Sequence, residues 1–362
     1  MIFAISVTLF FIVLRFTVTV FNFISNPKLT RVSREYTDFV SILIPVRNEE
    51  NNILILLESI YKQDYKNYEV IIYDDDSSDD TYNICLGFTA WHPRFNVIKG
   101  AGLPAEWTGK NYACHQLAKH AKGEYFLFLD ADEIITNSLI NSAVYRMKLY
   151  KLGLLSLFTN QRMVTFGENT VIPLLHYLLL NLLPLRLIYL TKNATVATAS
   201  GQFMCFDAEI YKQNQWHKMV RNNAVADAEI MKLVKMASFN GEVLLGNSLV
   251  HCRMYKNYGG AINGFSKNLL ATFNYSIPGL LIYITLLIAG PIIVITTLNY
   301  QLIFFMISLI ILSRIMISLS AGQNAWLNIL LHPVQMMNLL VIAVVSTQKH
   351  LTKTNVWKGR KI

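Results

Sequence analysis

Acidic side chains crowd two short stretches of this chain. Asp74-Asp75-Asp76-Ser77-Ser78-Asp79-Asp80-Thr81 follows the apolar run Glu69–Tyr73, and Phe128-Leu129-Asp130-Ala131-Asp132 closes another. Five acids within seven residues repel one another, so a structural or chemical reason must hold them together. For Ser77, Ser78, Asp79 and Asp80 the plainer reading is a solvated turn in which an Asp or Ser caps the next helix. Asp75, at a strand tip, reads as a ligand, because a carboxylate there accepts hydrogen bonds from a ribose or a base N–H. Asp130 and Asp132 stand two apart, and in extended chain such residues project to the same side. Two carboxylates so placed can share one hard divalent ion, Mg2+ or Mn2+, whose remaining positions go to diphosphate oxygens and water. A bare Asp-x-Asp is weak alone, since Asp74 and Asp76 also satisfy it. The apolar strand before Asp130 and the Gly123-Glu124-Tyr125 lead-in set the later pair apart.

The elements that must position these acids alternate in type. Val40–Pro45 and Tyr68–Tyr73 read as strands, Asn51–Lys62 and Tyr112–Ala121 as amphipathic helices, and Tyr125–Leu129 as a further strand ending on Asp130. Strands alternating with helices predict an α/β domain with a mainly parallel sheet over residues 38–270. In such sheets ligands bind beyond the carboxyl ends of the strands, where both acidic clusters fall.

Composition frames that domain with membrane. Of the 362 residues 53% are hydrophobic and only 15% charged, against about 25% charged in soluble domains. Residues 2–24 are apolar apart from Arg15, and Lys28, Arg31 and Arg34 follow. With no small-residue cleavage site, residues 1–25 read as an uncleaved anchor whose basic flank puts the following domain in the cytoplasm. Between Asn268 and Ser313 lie 46 residues without a charged side chain. That predicts transmembrane helices within 276–346, near Ile277–Leu298 and Leu302–Leu319, with a further apolar run near Trp326–Val345 interrupted at His332-Pro333. The number of crossings stays open, because three from a cytoplasmic domain would put the basic tail, 347–362, outside. Val171–Leu190 reads as an amphipathic helix lying on the bilayer, its run broken by Pro173 and Pro184. The net charge of +9 takes five of its charges from Lys349, Lys353, Lys358, Arg360 and Lys361, the others looking thinly spread. A basic tail beside apolar segments suits anionic headgroups better than nucleic acid, for which no motif stands nearby. Cys85, Cys114, Cys205 and Cys252 form no CxxC, so neither a zinc knuckle nor a disulfide scaffold is indicated.

Ser41-Ile-Leu-Ile-Pro45-Val-Arg47-Asn48-Glu49-Glu50, the Asp-rich turn, Gly109-Lys110 and Gly123-Glu124-Tyr125 with Asp130-Ala-Asp132 together resemble the family-2 glycosyltransferases in order and spacing. The resemblance implies a GT-A fold, a nucleotide-sugar donor, a divalent metal and inversion at the anomeric carbon. It implies that Pro45, Glu49 and Asp75 hold the nucleoside, that Lys110 approaches the diphosphate, and that Asp130 and Asp132 meet the ribose and metal. Asp76 departs from the pattern, where glycine is frequent, yet Asp tolerates the left-handed turn. Val225-Ala226-Asp227-Ala228-Glu229 resembles the helix start that supplies the general base, placing Asp227 in that role with Glu229 as substitute; Ala226 stands where Glu is usual. The plainer reading of Asp227 is a helix cap. Ser200-Gly201-Gln202-Phe203 resembles the small-residue turn near the acceptor. His251, which follows an apolar run read as the strand Val243–Val250, is the further metal ligand some relatives use, although a lone His is more often structural. Within the family, Trp107-Thr-Gly-Lys110-Asn-Tyr-Ala-Cys-His, Phe265–Asn268 and Val356–Arg360 are similar to the bacterial diaponeurosporenoate glycosyltransferases of carotenoid synthesis, and hopanoid-associated glycosyltransferases are similar too.

The reading that follows is a multi-pass membrane enzyme transferring a sugar, with glucose the first to try, from a UDP-sugar to a carotenoid acid or other lipophilic terpenoid. A polyprenyl-phosphate sugar transferase and a catalytically decayed membrane scaffold are its alternatives. A channel is disfavoured because few polar groups would line it.

Overall fold

The computed structural model describes residues 2–223, 225–352, 354, 356–357 and 360–361; Lys353 and Lys358 of the basic tail lie outside them. The chain divides into an α/β unit, residues 27–161 and 185–253, and a helical unit, residues 1–26, 162–184 and 254–361. Residues 162–184 and 254–270, which the sequence groups with the α/β domain, pack within the helical unit instead.

Ten strands run through the α/β unit: β1 Val40–Val46, β2 Tyr68–Asp74, β3 Phe95–Lys99, β4 Tyr125–Leu129, β5 Glu133–Ile135, β6 Leu152–Phe158, β7 Asn160–Gln161, β8 Phe203–Asp207, β9 Asn240–Leu245 and β10 Val250–Cys252. Seven form one sheet in the order β3-β2-β1-β4-β8-β6-β9, parallel except for β8, which runs antiparallel to both β4 and β6. Strands β1, β4 and β6 are nearly continuous apolar runs because helices cover both faces of a mostly parallel sheet. A small second sheet, β5-β10-β7, lies beyond the carboxyl end of β4.

Two predicted elements differ. The helix read as Tyr112–Ala121 starts earlier, at Gly109, so Lys110 falls in its first turn. The strand read as Val243–Val250 breaks after Leu245, where Gly246 and Leu249 close a turn with a 2.9 Å hydrogen bond before β10 begins.

The helical unit is built on Ile2–Ser25, Ile277–Thr296 and Tyr300–Ala321, the three helices among the described residues long and apolar enough to cross a membrane. The 326–345 run is not among them. It divides into Ala325–Leu330 and His332–Thr352, with Pro333 in the first turn of the second, where its missing N–H is no loss. Buried Gln335 and Asn338 of that helix donate to the carbonyls of Asn169 and Thr170 at 3.0 Å each. Residues 171–190 are not one helix. Phe166–Val171, Leu174–Leu182 and Leu185–Leu190 are separated at Pro173 and Pro184, and the last belongs to the α/β unit.

Candidate active site

The loop after β1 and the acidic loop after β2 are laced together by short polar side chains. Ser77 Oγ and Thr81 Oγ1 accept from the amides of Asn48 and Glu49 at 3.0 and 2.8 Å. Asn48 Oδ1 accepts from the Ser78 amide at 2.8 Å. Asp79 accepts from the amides of Glu50 and Thr81, at 3.2 and 3.1 Å. Burial works against its charge, but the hydrogen bonds from Thr81 and Glu50 outweigh it and hold the carboxyl below its ordinary range. These side chains therefore hold the turn, while Asp80, at the N-cap of the helix Thr81–Trp91, makes no side-chain cap bond. Asp76 adopts φ +58°, the left-handed conformation its position requires. Arg47 donates to the Asp75 carbonyl and, at 2.8 Å, to that of Asp76. Asp75 is buried just beyond β2, and Pro45 and Glu49 are half-buried at and just after the end of the neighbouring β1.

Across the sheet, β4 delivers Asp130. Its amide donates to the Gln202 carbonyl at 3.1 Å, tying it to the turn that leads into β8. Lys110 Nζ lies 2.5 Å from Asp130 Oδ1 and donates to the Gly201 carbonyl at 3.2 Å. Burial disfavours the Lys110 charge, but the Asp130 carboxylate outweighs it and holds the ammonium above its ordinary range. From the helix Ala226–Met236, Asp227 Oδ2 accepts from the Gly201 amide at 2.9 Å and Oδ1 from the Ala228 amide at 3.0 Å. Burial raises the Asp227 pKa, against the lowering by these two amides and Lys110. Asp227 is thus no ordinary cap, since one oxygen is pinned outside its own helix. Glu229, the substitute base, pairs instead with Lys232 at 3.2 Å.

Gly201 is the hinge of this cluster. A Cβ there would stand 3.2 Å from Lys110 Nζ, a tight approach, and 3.5 Å from Asp227 Oδ2, an ordinary contact, so the turn lies directly against both side chains. Ser156 on β6 fixes the turn, accepting from the Ser200 amide at 2.8 Å and donating to the Ser200 carbonyl at 3.0 Å.

Asp132 lies on the other side of Asp130, with Glu133 and Cys252, and one ligand atom from each falls within 4.8 Å of the others. Cys252 Sγ donates to Asp132 Oδ2 at 3.3 Å. Glu133 is buried and neither carboxylate oxygen has a hydrogen-bond partner. Burial first, and the neighbouring acids Asp130 and Glu49 next, push the Asp132 carboxyl up; burial and Asp132 do the same to Glu133. Buried Glu133 beside half-buried Asp132, neither in a salt bridge among the described residues, suits a divalent cation, so this donor set fits a metal. His251 is not among these groups; its Nε2 lies 3.2 Å from the Ser248 carbonyl. Adjacent residues of a strand face opposite ways, so once Cys252 meets Asp132 its neighbour His251 turns aside. The sequence analysis missed Glu133 and Cys252. The Asp132-Glu133 adjacency was a visible signal; nothing in the sequence pointed to the thiol.

Residues 41–214 match the protein family described as Glycosyl transferase family 2. The chain is 25% identical over 262 residues to the 4,4'-diaponeurosporenoate glycosyltransferase of Staphylococcus haemolyticus (strain JCSC1435), covering 71% of this chain and 68% of that one. The protein of the same name from Staphylococcus aureus (strain MRSA252) is 26% identical over 340 residues, covering 89% and 88%. The UDP-Glc:alpha-D-GlcNAc-diphosphoundecaprenol beta-1,3-glucosyltransferase WfaP of Escherichia coli is 34% identical over 114 residues, covering 32% and 43%. Among solved structures, the mannosyltransferase PcManGT from Pyrobaculum calidifontis, in complex with GDP-Man and Mn2+, aligns with a TM-score of 0.57 at 15% identity, covering 97% of this chain and all of that one. That likeness is one of GT-A fold.

Proposed function

From the premise that this chain carries a family-2 glycosyltransferase domain and is a glycosyltransferase, we propose that it transfers a sugar, with inversion, from a UDP-sugar to a lipophilic acceptor such as a carotenoid acid or another terpenoid. The observation that carries this reading is the pinning of Asp227 by the Gly201 amide, next to the Lys110–Asp130 pair.

In the step, the acceptor oxygen forms a bond to the anomeric carbon as the bond from that carbon to the β-phosphate oxygen breaks. The electron pair of the breaking bond leaves with UDP. Asp227 takes the proton of a hydroxyl acceptor, and its raised pKa makes it a stronger base than an ordinary aspartate. A carboxylate acceptor is already ionised at neutral pH and needs no strong base. Lys110, in the first turn of its helix, brings its ammonium and the positive helix end toward the diphosphate. Asp75, Pro45 and Glu49, at the ends of β1 and β2, hold the nucleoside. Asp132 would hold Mg2+ or Mn2+, with Asp130 shared between the ion and Lys110. The ion, when bound, offsets charge on the departing diphosphate. The glucosyl donor is the first to test, and the names of the two staphylococcal relatives support the carotenoid acid. Lys28, Arg31 and Arg34 after the first apolar helix support a multi-pass protein with its α/β unit in the cytoplasm.

The test is UDP binding to the detergent-solubilised protein with and without Mn2+, for wild type and Asp132→Ala. Binding that requires both the metal and Asp132 is expected. Binding indifferent to Mn2+ would remove the metal, and failure of the wild type to bind UDP would overturn the donor and turn the search to GDP. A diphosphopolyprenol acceptor is the second reading, favoured by the name of the Escherichia coli relative. A radiolabelled product stable to mild acid would argue against it.

A further inference from the structure

All of the net charge belongs to the helical unit. Its segments hold ten Lys and Arg against a single acid, Glu168. Two of the ten, Arg15 and Arg314, are only 8% and 1% exposed although they stand in two of the apolar helices. Both guanidiniums close on Tyr177, with their carbons 5.0 and 3.7 Å from the ring centre. Arg15 Nε donates to Asn181 Oδ1 at 3.2 Å, and Arg314 Nε donates to His332 Nδ1 at 2.8 Å.

Each arginine keeps a buried Nη2 with no hydrogen-bond partner, and the Asn181 amide nitrogen is likewise unpartnered. Among the described residues no carboxylate pairs with either arginine. Arg15, Tyr177, Asn181, Ser313, His332 and Ile310 line a cavity of about 20 Å³. That is room for a single water-sized group, so of an entering headgroup only one oxygen would sit inside.

A buried cation without a counter-ion is strongly unfavourable, and two sharing one ring repel each other as well. The Tyr177 face offsets part of this as a cation–π partner but supplies no negative charge. An oxyanion entering from outside the chain does, and the guanidinium fork matches carboxylate and phosphate. The surrounding apolar helices require such an anion to arrive on a hydrocarbon chain. We propose that this cavity takes one oxygen of the oxyanion head, carboxylate or phosphate, of a membrane amphiphile, held by Arg15 and Asn181, with Arg314 on the same Tyr177 ring adding positive charge. The site stands on the helical unit alone and does not depend on what the α/β unit transfers.

The full chain in a neutral detergent, without any nucleotide sugar, is titrated with oleate, 1-oleoyl lysophosphatidate, oleyl alcohol and inorganic phosphate, and adducts are counted by native mass spectrometry. Oleate or the lysophosphatidate should bind one to one at least about tenfold more tightly than the alcohol, and Arg15→Gln or Arg314→Gln should abolish that preference. Equal binding of acid and alcohol by the wild type overturns the site, as does an undiminished preference in a folded glutamine variant. Competition by inorganic phosphate supports the site with a free anion as the source; its failure to compete, while the lipids bind, supports the headgroup. Should the glutamine variants not fold, a wild-type measurement decides. A fatty acid with a diazirine next to its carboxylate should crosslink within Ile2–Ser25, Leu174–Leu182, Ile277–Thr296 or Tyr300–Ala321 or at His332, and labelling confined to the α/β unit overturns the proposal.

Discussion

Arginines that point inward meet opposite fates in the two units. In the α/β unit, Glu242 is 1% exposed and accepts from Arg146 Nε and Nη2 at 2.6 Å each and from Arg186 Nη1 at 3.0 Å. That unit is electrically even, with 22 basic and 22 acidic residues. In the helical unit, Arg15 and Arg314 have the rings of Phe11, Tyr177 and Tyr283, an amide and an imidazole, but no carboxylate among the described residues. The difference separates two uses of charge. In the α/β unit Glu242 is answered by two arginines of the same unit, so these charges fix geometry. In the helical unit Arg15 and Arg314 meet no carboxylate among the described residues, which leaves the place the proposed oxyanion would take.

The largest effect should come from the proposed catalytic cluster. Asp227→Asn removes the proposed base while keeping the side chain's size, and with a hydroxyl acceptor turnover should fall by about 10²–10⁴. With a carboxylate acceptor the loss should stay within about tenfold, because the nucleophile is already ionised. Steady-state rates with a matched acid and alcohol check this, with UDP binding as the control for folding. A loss to background on the carboxylate would show that Asp227 acts by something other than proton removal.

Next in size is the pairing itself. Glu242→Gln leaves Arg146 and Arg186 facing a neutral amide; because both arginines reach solvent, the loss should be that of charged hydrogen bonds, about 1.5–3 kcal/mol. The melting midpoint of the purified chain should drop accordingly. A negligible change would mean that the buried ion pair contributes little beyond a neutral contact, and would weaken the contrast with Arg15 and Arg314.

A smaller effect belongs to the helical unit. A Cβ on Gly290 would come within 2.7 Å of Thr8 Cγ2 and 2.9 Å of its Oγ1, so the helices Ile277–Thr296 and Ile2–Ser25 meet at a point without a side chain. Thr8 is buried there. Small residues permit such close approach between apolar helices. Gly290→Val should destabilise the helical unit by about 1–3 kcal/mol through overpacking while leaving UDP binding intact. Loss of UDP binding in a folded variant would show that the units do not keep their tasks apart.

Much of this was legible in sequence because local chemistry enforces it. The apolar runs of β1, β2 and β4 could only be buried strands, and Asp76 was acceptable where glycine is usual because it reaches φ +58°. What could not be read arises from pairings distant in the chain. Nothing in Phe203–Asp207 says that β8 inserts antiparallel between β4 and β6, yet that insertion brings Gly201 to Lys110 and Asp227. Reading 243–250 as one strand hid the turn at Gly246–Leu249, and Cys252 rather than His251 meets Asp132. Charges that look thinly spread along the chain prove to share one unit once distant segments are brought together.

The smallest expected effect is a pH dependence that belongs to the α/β unit. His217 is buried, and the Tyr211 hydroxyl lies 2.7 Å from its Nδ1. Burial, reinforced by Lys110 and His115, pushes its pKa down to about 3 from an ordinary 6.5. The folded state therefore resists the proton that the unfolded chain accepts readily. The sign follows: this contribution is intact above pH 6.5 and is lost as pH falls from there toward 3, by at most about 1.4 kcal/mol per pH unit. Acids such as Asp132, whose pKa is raised, act in the opposite sense, so the difference between wild type and His217→Gln isolates the histidine. Denaturant midpoints at pH 7 and pH 5 should show the wild type losing stability relative to the variant. Parallel loss in both proteins would mean that the acid sensitivity of this unit arises elsewhere than at the Tyr211–His217 pair.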